Sequence, residues 1–266
     1  MKTIGIIGAG NMAAAIANGI LGRGMIPAGE IEMFDIDAAK LAPFTEKGVS
    51  AASSAAELVK NCRYVLLAVK PQVMPGVLEG LRGAAGAGNV FVSIAAGISS
   101  AFVKKALGFD AKVILVMPNT PVLVGLGASA LSFEPPVTEE EFETVRAMFA
   151  SAGIAEQIAP NLMNEVIPIN GSSPAFLYRI AQIFVEHAVG QGFDRGVATR
   201  LFCQTMIGSA HMMLESGKPL EELIRMVCSP GGTTLRGLEA MEKNGLENAL
   251  AAGIDDCIQR AYELGV

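Results

Sequence analysis

The chain has no tryptophan, only two histidines and three tyrosines, and four cysteines among its 266 residues. Charged residues are also sparse at 17%, and the net charge of −6 comes without any basic run, which argues against nucleic acid as a partner. No segment joins a charged start to a long apolar run, and the stretch from Ile4 to Ile7 is too short for a signal peptide or a membrane span. We therefore expect a cytoplasmic protein that binds neither nucleic acid nor membrane.

The scarce reactive side chains exclude several kinds of catalytic site. The four cysteines show no metal-type spacing and suit a reducing cytosol; they are Cys62, Cys203, Cys228 and Cys257. His187 and His211 fall in apolar helical surroundings outside any motif, which favours a packed or surface role over catalysis. With no Ser-His-Asp set and no paired carboxylates either, we predict no metal and no strong acid–base group.

Apolar residues make up 51% of the chain and aromatic ones only 6%, so we expect an aliphatic core filled out with methionine. So small a share of charge is typical of an oligomer that buries much of its surface.

A glycine-rich turn follows the first apolar run, Lys2 to Ile7, and leads into a helical pattern. Its residues are Gly8, Ala9, Gly10, Asn11, Met12 and Ala13. In a strand–turn–helix unit, the first glycine makes the tight turn, the second lets the backbone approach a pyrophosphate, and a small third residue permits close helix–strand packing. The alternative is that small residues only pack a βα unit, but the context favours dinucleotide binding.

A second strand, Glu30 to Phe34, is predicted to end at Asp35. A carboxylate at this position accepts hydrogen bonds from the adenosine ribose hydroxyls and repels the extra phosphate of NADP. Asp37 is placed instead to cap a helix through Lys40. We therefore predict that the chain binds NAD(P)H and that Asp35 favours NADH.

Further strands are predicted from Tyr64 to Val69, Val90 to Ala95, Lys112 to Met117 and, as a last strand, Gly127 to Phe133. Ligands of an open parallel sheet bind outside the carboxyl ends of its strands. The candidate cofactor residues at these ends are Lys70, Ala95, Ala96, Gly97 and Asn119. Two alternatives stay open: Lys70 is a solvated lysine, or Asn119 only makes a turn.

Strands alternating with helices predict a Rossmann-like, doubly wound parallel α/β domain over residues 1–158, in which Thr138 and Glu141 form a capping box. An all-α domain is predicted over residues 159–266. Its predicted helices are Pro174 to Val189, Asp194 to Leu214, Leu220 to Met226, Thr234 to Lys243 and Leu246 to Leu264. The helix from Asp194 is apolar nearly all round, which indicates burial against a partner subunit or, alternatively, against the first domain.

The loop from Ser229 to Thr234, Ser-Pro-Gly-Gly-Thr-Thr, has no structural purpose in a helical bundle. A glycine-rich loop that opens a helix directs free N–H groups and the positive end of the helix dipole at an anion. The alternative is ordinary capping by Ser229 or a threonine.

This loop and its surroundings resemble the signature of the pyrroline-5-carboxylate reductases. The matching residues are Pro219, Leu223, Val227, Cys228, Ser229, Pro230, Gly231, Gly232, Thr233, Thr234, Gly237, Leu238, Met241 and Glu242. The resemblance implies reduction of the C=N bond of a cyclic imine carboxylate, giving proline, by a homodimer or higher homo-oligomer joined through the helical domain. It also implies that Ser229, Gly231, Gly232 and Thr233 bind the substrate, while Thr234 hydrogen-bonds the ring nitrogen and is catalytic. For the cofactor, it implies that the segment of Ala68, Val69, Lys70 and Pro71 lies along the dinucleotide and that Asn119 lies by the nicotinamide.

Two departures from the family pattern leave other functions open. Asn170, Ser173 and Phe176 stand where the family has Ser, Gly and Tyr in its Ser-Gly-Ser-Gly-Pro-Ala-Tyr element. Ser173 is placed to cap the helix that begins at Pro174; the alternatives are that it narrows the site or adds a hydrogen-bond donor. Many relatives carry Ser, Asn or Arg around the position of Asp35 and use NADPH. The alternatives are a related imine or β-hydroxyacid reductase, or a dinucleotide-binding protein without catalysis.

Overall fold

The structure, a computed structural model, describes residues 1–264. Its strands are β1 Lys2–Ile7, β2 Ile31–Phe34, β3 Ser50–Ala51, β4 Cys62–Leu67, β5 Val90–Ser93, β6 Lys112–Met117, β7 Gly127–Phe133 and β8 Gly153–Gln157. Its helices are α1 Asn11–Gly22, α2 Ala42–Thr45, α3 Ala55–Asn61, α4 Met74–Leu81, α5 Ser100–Leu107, α6 Glu139–Ala150, α7 Ser173–Gly190, α8 Arg195–Glu215, α9 Leu220–Val227, α10 Thr233–Lys243 and α11 Leu246–Leu264. Short helical turns lie between several of them.

One eight-stranded sheet has the order β3-β2-β1-β4-β5-β6-β7-β8. The strands from β3 to β6 pair in parallel, which confirms the doubly wound arrangement. The sheet is mostly parallel, since β7 pairs with β6 in antiparallel fashion. The expectation that β7 is the last strand is wrong, because β8 follows it at the edge. The β8 strand was not predicted because it is short and mostly exposed, with only Ala155 buried.

The central strands are apolar on both sides because helices cover both faces of the sheet. Ile6 and Leu66 belong to the apolar cluster on one face, and Val65, Leu67 and Phe91 to the cluster on the other. All five side chains are almost completely buried.

The limits of three strands differ from prediction. The fourth strand runs from Cys62 to Leu67, the fifth ends at Ser93, and the second begins at Ile31. The apolar runs continue past the carboxyl ends, but there the backbone bends away into the loops that border the sheet edge. An apolar run in the sequence indicates which residues are buried, but it does not indicate the residue at which strand pairing ends.

The chain divides into two compact units. The first unit comprises Met1–Pro174 and the segment that begins at Cys257; the second unit is Ala175–Asp256. The predicted division after residue 158 stays a prediction, since compactness does not fix the limits of an independently folding domain. Residues 265 and 266 of the predicted second domain lie outside the described residues.

Capping explains several helix starts. Thr138 and Glu141 form the predicted capping box of α6, and Asp194 caps α8 by accepting a hydrogen bond from the Val197 N–H at 2.9 Å. The capping role predicted for Ser173 is wrong. Its hydroxyl donates to the Ile169 carbonyl at 2.7 Å, because the preceding residues already form a π-helical turn, Ile167–Gly171, that runs into α7.

The second unit buries very little of its apolar surface. Within residues 175–256, all of them described, only Val185 and Ala198 are buried, although Phe184 and Phe202 stack at 4.6 Å between α7 and α8. Among residues 1–264 no helix is long and apolar enough to cross a membrane.

Candidate functional site

The glycine turn lies where the order of the strands reverses, between β1 and its neighbours β2 and β4. Gly8 has a φ of +97°, and a Cβ there would lie 2.6 Å from the Ala68 carbonyl oxygen, so only glycine fits. Gly10 precedes α1 and a Cβ there would meet nothing within 4 Å. Asn11 and Met12 begin α1, whose N-terminus therefore faces open space suited to a pyrophosphate.

Asp35 is tied to this turn. Its carboxylate accepts hydrogen bonds from the N–H groups of Ala9 at 2.7 Å and Asp37 at 2.8 Å, and Lys40 Nζ lies 3.5 Å from Oδ1. Burial alone would raise the pKa of the Asp35 carboxyl, but these two hydrogen bonds together with Lys40 outweigh it and lower the pKa. Asp35 is therefore held as a carboxylate beside the glycine turn, with lone pairs left for hydroxyl donors.

The residues after β4 and β5 border the same edge. Ala68 N–H still donates to the Ile7 carbonyl at 2.9 Å, and Lys70, just before Pro71, is exposed. Within the described chain no ion pair engages Lys70, so its ammonium group is free for an anion. Beyond β5, Gly97 adopts a φ of +75° and ends the short Ala95–Ala96 segment.

Asn119 has a structural partner that the sequence did not reveal. Its buried side-chain oxygen accepts a hydrogen bond from the Ala128 N–H at 2.9 Å. Asn170, one of the residues that depart from the family pattern, donates from Nδ2 to the carbonyls of Met117 at 2.7 Å and Ala128 at 3.0 Å. The two asparagines thus hold the end of β6 against β7, which gives Asn170 a packing role.

A cavity of about 450 Å³ opens in the first unit at the carboxyl ends of β5 and β6. The predicted residues Ala95 and Gly97 line it, and so do Asn161, Asn164 and Tyr262, which the sequence did not indicate. Tyr262 donates a hydrogen bond to Glu165. The sequence does not predict that Tyr262 lines this cavity, because Tyr262 lies in α11, far along the chain from β5.

The Ser229–Thr234 loop lies in the second unit. Gly231 has a φ of +70°, and the Gly232 N–H donates to the Ser229 carbonyl at 2.9 Å. The positive φ favours glycine at position 231. A Cβ on Gly232 would lie 2.4 Å from Ser229 Oγ, so a side chain there would displace the Ser229 hydroxyl.

Helix α10 begins at Thr233, and Gly232 occupies its N-cap position without any side-chain cap. The alternative that Ser229 or a threonine caps this helix is therefore wrong. The first N–H groups of a helix have no partner within it, so the start of α10 presents uncovered donors at the positive end of its dipole. Thr234 also lines an apolar cavity of about 640 Å³ with Met212, Leu223 and Cys228.

The two histidines take no part in the glycine turn, the cavities or the Ser229–Thr234 loop described above. His211 pairs with Glu215 at 2.6 Å on the surface, and His187 is also exposed. Among residues 1–264 no three His, Cys, Asp or Glu side chains are grouped in a way that could hold a metal ion.

The sheet, the glycine turn at its switch point and the anchored carboxylate define a dinucleotide-dependent oxidoreductase fold. Residues 3–97 match the family profile described as NADP oxidoreductase, coenzyme F420-dependent, and residues 160–264 match the one described as pyrroline-5-carboxylate reductase dimerisation. The chain is 35% identical to the pyrroline-5-carboxylate reductase of Escherichia coli K12, over 99% of this chain and 98% of the relative. It is 36% identical to pyrroline-5-carboxylate reductase 3 of Danio rerio, over 98% and 91%.

The Plasmodium falciparum pyrroline carboxylate reductase, solved with NADP bound, superposes with a TM-score of 0.90 at 26% identity, covering 100% of this chain and 98% of that one. The chain belongs to the pyrroline-5-carboxylate reductase family. It is thus an NAD(P)H-dependent oxidoreductase that acts on an imine.

Proposed function

We propose that the chain reduces 1-pyrroline-5-carboxylate to proline, with NADH as the favoured hydride donor and the Ser229–Thr234 loop as the carboxylate site. The observation that carries the proposal is the start of α10, where a glycine N-cap leaves N–H groups uncovered at the positive end of a helix of 11 residues. A helix start of this kind binds a carboxylate without a charged side chain.

The substrate contributes much of its own activation. A cyclic imine takes up a proton near neutral pH, so the protein needs to hold an iminium carboxylate and does not need a strong acid. In our proposal the Thr233 N–H group and the Ser229 hydroxyl hold the carboxylate. Gly231 and Gly232 shape the turn, because the Gly232 N–H already donates to the Ser229 carbonyl. The Thr234 hydroxyl hydrogen-bonds the ring nitrogen and orients its proton.

When bound, the nicotinamide supplies a hydride. The hydride adds to the imine carbon, the C=N π electrons become the nitrogen lone pair, and the nitrogen keeps its proton as the ring becomes a secondary amine. Positioning therefore supplies most of the rate enhancement. This accords with an exposed His187 and a surface His211 that take no part.

The first unit provides the cofactor contacts in this proposal. The residues from Gly8 to Met12 surround the pyrophosphate at the start of α1, and Asp35 accepts hydrogen bonds from the adenosine ribose. Lys70 meets a phosphate or ribose, and the backbone around Ala68, Val69 and Pro71 lies along the cofactor. Towards the nicotinamide lie Ala95, Ala96, Gly97 and Asn119, and two of them, Ala95 and Gly97, line the cavity of about 450 Å³.

Asp35 supports NADH over NADPH because its carboxylate is anchored by two backbone N–H groups and cannot swing away from a 2′-phosphate. We further propose a homodimer or higher homo-oligomer formed through the helical region, since so little apolar surface is buried within residues 175–256. The four free cysteines suit a cytoplasmic location.

A steady-state assay of NADH oxidation with 1-pyrroline-5-carboxylate tests the reaction, and NADPH in parallel tests the cofactor. Thr234→Ala is expected to lower kcat by roughly 100-fold, the range for a positioned proton donor, while Thr234→Ser retains most of it. Unchanged kcat in Thr234→Ala would remove Thr234 from the mechanism. Dinucleotide binding without any imine reduction would favour a non-catalytic protein, and turnover of hydroxyacids instead would favour a β-hydroxyacid reductase.

A further inference from the structure

The loop after β2 holds a charge arrangement that goes beyond Asp35. Lys40 Nζ lies 3.5 Å from Asp35 Oδ1 and 3.8 Å from Asp37 Oδ2. Both Lys40 and Asp37 are about half exposed, at 48% and 53% of their side-chain surface, so a ligand can reach them. Two carboxylates and one ammonium group leave this loop with a net negative charge.

A hydrogen bond to the backbone holds the Asp37 side chain in place. Its Oδ1 accepts a hydrogen bond from the Ala39 N–H at 3.2 Å, which caps the short helical turn Ala38–Leu41 that carries Lys40. Between the two aspartates, Ile36 is 96% exposed and offers no donor. Enzymes that accept NADP place a cation beside the ribose 2′ position, and within residues 1–264 Lys40 is the one cation in an ion pair with Asp35.

We propose that Asp37 is a second specificity-determining residue, which keeps Lys40 engaged by carboxylates and so withholds it from the 2′-phosphate of NADPH. This inference rests on the proposed dinucleotide site. Asp35 faces the ribose, and Asp37 acts through Lys40. Without the Asp37 charge, Lys40 has one carboxylate partner instead of two. Its ammonium group can then turn towards a phosphate.

The test is a comparison of the dissociation constants of NADH and NADPH, measured by nicotinamide fluorescence, which needs no turnover. Asp37→Asn keeps the cap, because asparagine caps a helix as well as aspartate does. It is expected to tighten NADPH binding by about fivefold, as fits one surface charge acting on a phosphate, and to change NADH binding less than twofold. The gain shrinks at high salt because the groups are exposed.

Two further variants make the assignment specific. In the double variant Asp37→Asn/Lys40→Met the gain disappears, because the liberated cation is gone. Glu46→Gln removes one exposed carboxylate just after α2 and is expected to leave the NADPH to NADH ratio unchanged.

An equal change for both cofactors in Asp37→Asn, or a gain that persists in the double variant, would overturn the role of Asp37. Failure of the unaltered protein to bind either cofactor would instead contradict the dinucleotide site itself.

Discussion

The first unit encloses its large apolar side chains between a sheet and the helices on its two faces, with Phe91 and Phe142 fully buried. In the second unit, residues of the same type stay exposed, including Leu201 at 59% and Met213 at 51%. The difference teaches that the two units draw stability from different sources. The first is stabilised within one chain, whereas the second needs a further apolar surface to cover it, which our proposal supplies from another copy of the chain.

The largest expected effect concerns the core of the first unit. Phe91→Ala should lower the free energy of unfolding by about 3–5 kcal/mol, because it removes a fully buried ring and leaves a cavity. Denaturant titration at two protein concentrations measures it, and the loss should be the same at both. A loss that varied with protein concentration would mean that this core too depends on assembly.

The next effect concerns association. Leu201→Glu places a charge on the exposed apolar face of α8 and should weaken assembly by roughly 100-fold, within the range found for central interface residues. Light scattering over a dilution series measures it. Ile154→Glu, a matched change at a residue of the first unit that is also 59% exposed, serves as control and should leave assembly intact. If both variants weakened assembly equally, the exposed apolar surface of the second unit would not be the specific site of association.

A smaller effect concerns pH and the first unit. Burial would raise the pKa of the Glu141 carboxyl, but hydrogen bonds from Lys112 and the Thr138 backbone, with the charge of Lys112, outweigh it and lower the pKa below its ordinary 4.5. A lowered pKa stabilises the fold above pH 4.5, and that stability is lost as the pH falls through the folded-state value.

Glu141→Gln should therefore destabilise the protein at pH 7 by about 1–3 kcal/mol, through loss of a buried charged hydrogen-bond partner, and the difference should shrink below pH 4. Thermal unfolding across pH 3–7 gives this profile. A difference that stayed constant with pH would show that packing, and not charge, stabilises this end of the sheet.

The last effect concerns the reactivity of one thiol and leaves both stability and assembly unchanged. Burial, with the neighbouring Glu32 carboxylate, raises the pKa of Cys62 to about 12. At pH 8.5 the folded protein should therefore alkylate Cys62 roughly 1000-fold more slowly than the unfolded chain does. Mass spectrometry of the labelled peptides measures the rate. Rapid labelling of Cys62 in the folded protein would show that the first unit opens more easily than its core implies.

Most of the fold of the first unit was predictable, because apolar runs followed by glycine or other small residues indicate its main strands. The direction of β7 and the existence of β3 and β8 were not. Pairing direction depends on partners distant in sequence, β3 has only two residues, and the short run Gly153–Gln157 gives no strand pattern.

Within the candidate site, local motifs indicated the glycine turn, Asp35 and the Ser229–Thr234 loop. The partner of Asn119, the bridge made by Asn170 and the cavity wall at Tyr262 depend on contacts between distant segments, so no local pattern could reveal them.

The last part of the first unit is synthesised only after the whole of the second unit. Ala261, buried beside Met117 and Ile167, and Tyr262, which donates to Glu165, belong to it, yet they follow the whole of the second unit in the chain. A ribosome must therefore synthesise residues 175–256 before the segment that completes the first unit emerges. A chain halted after Asp256 would possess every strand of the sheet and still lack these contacts.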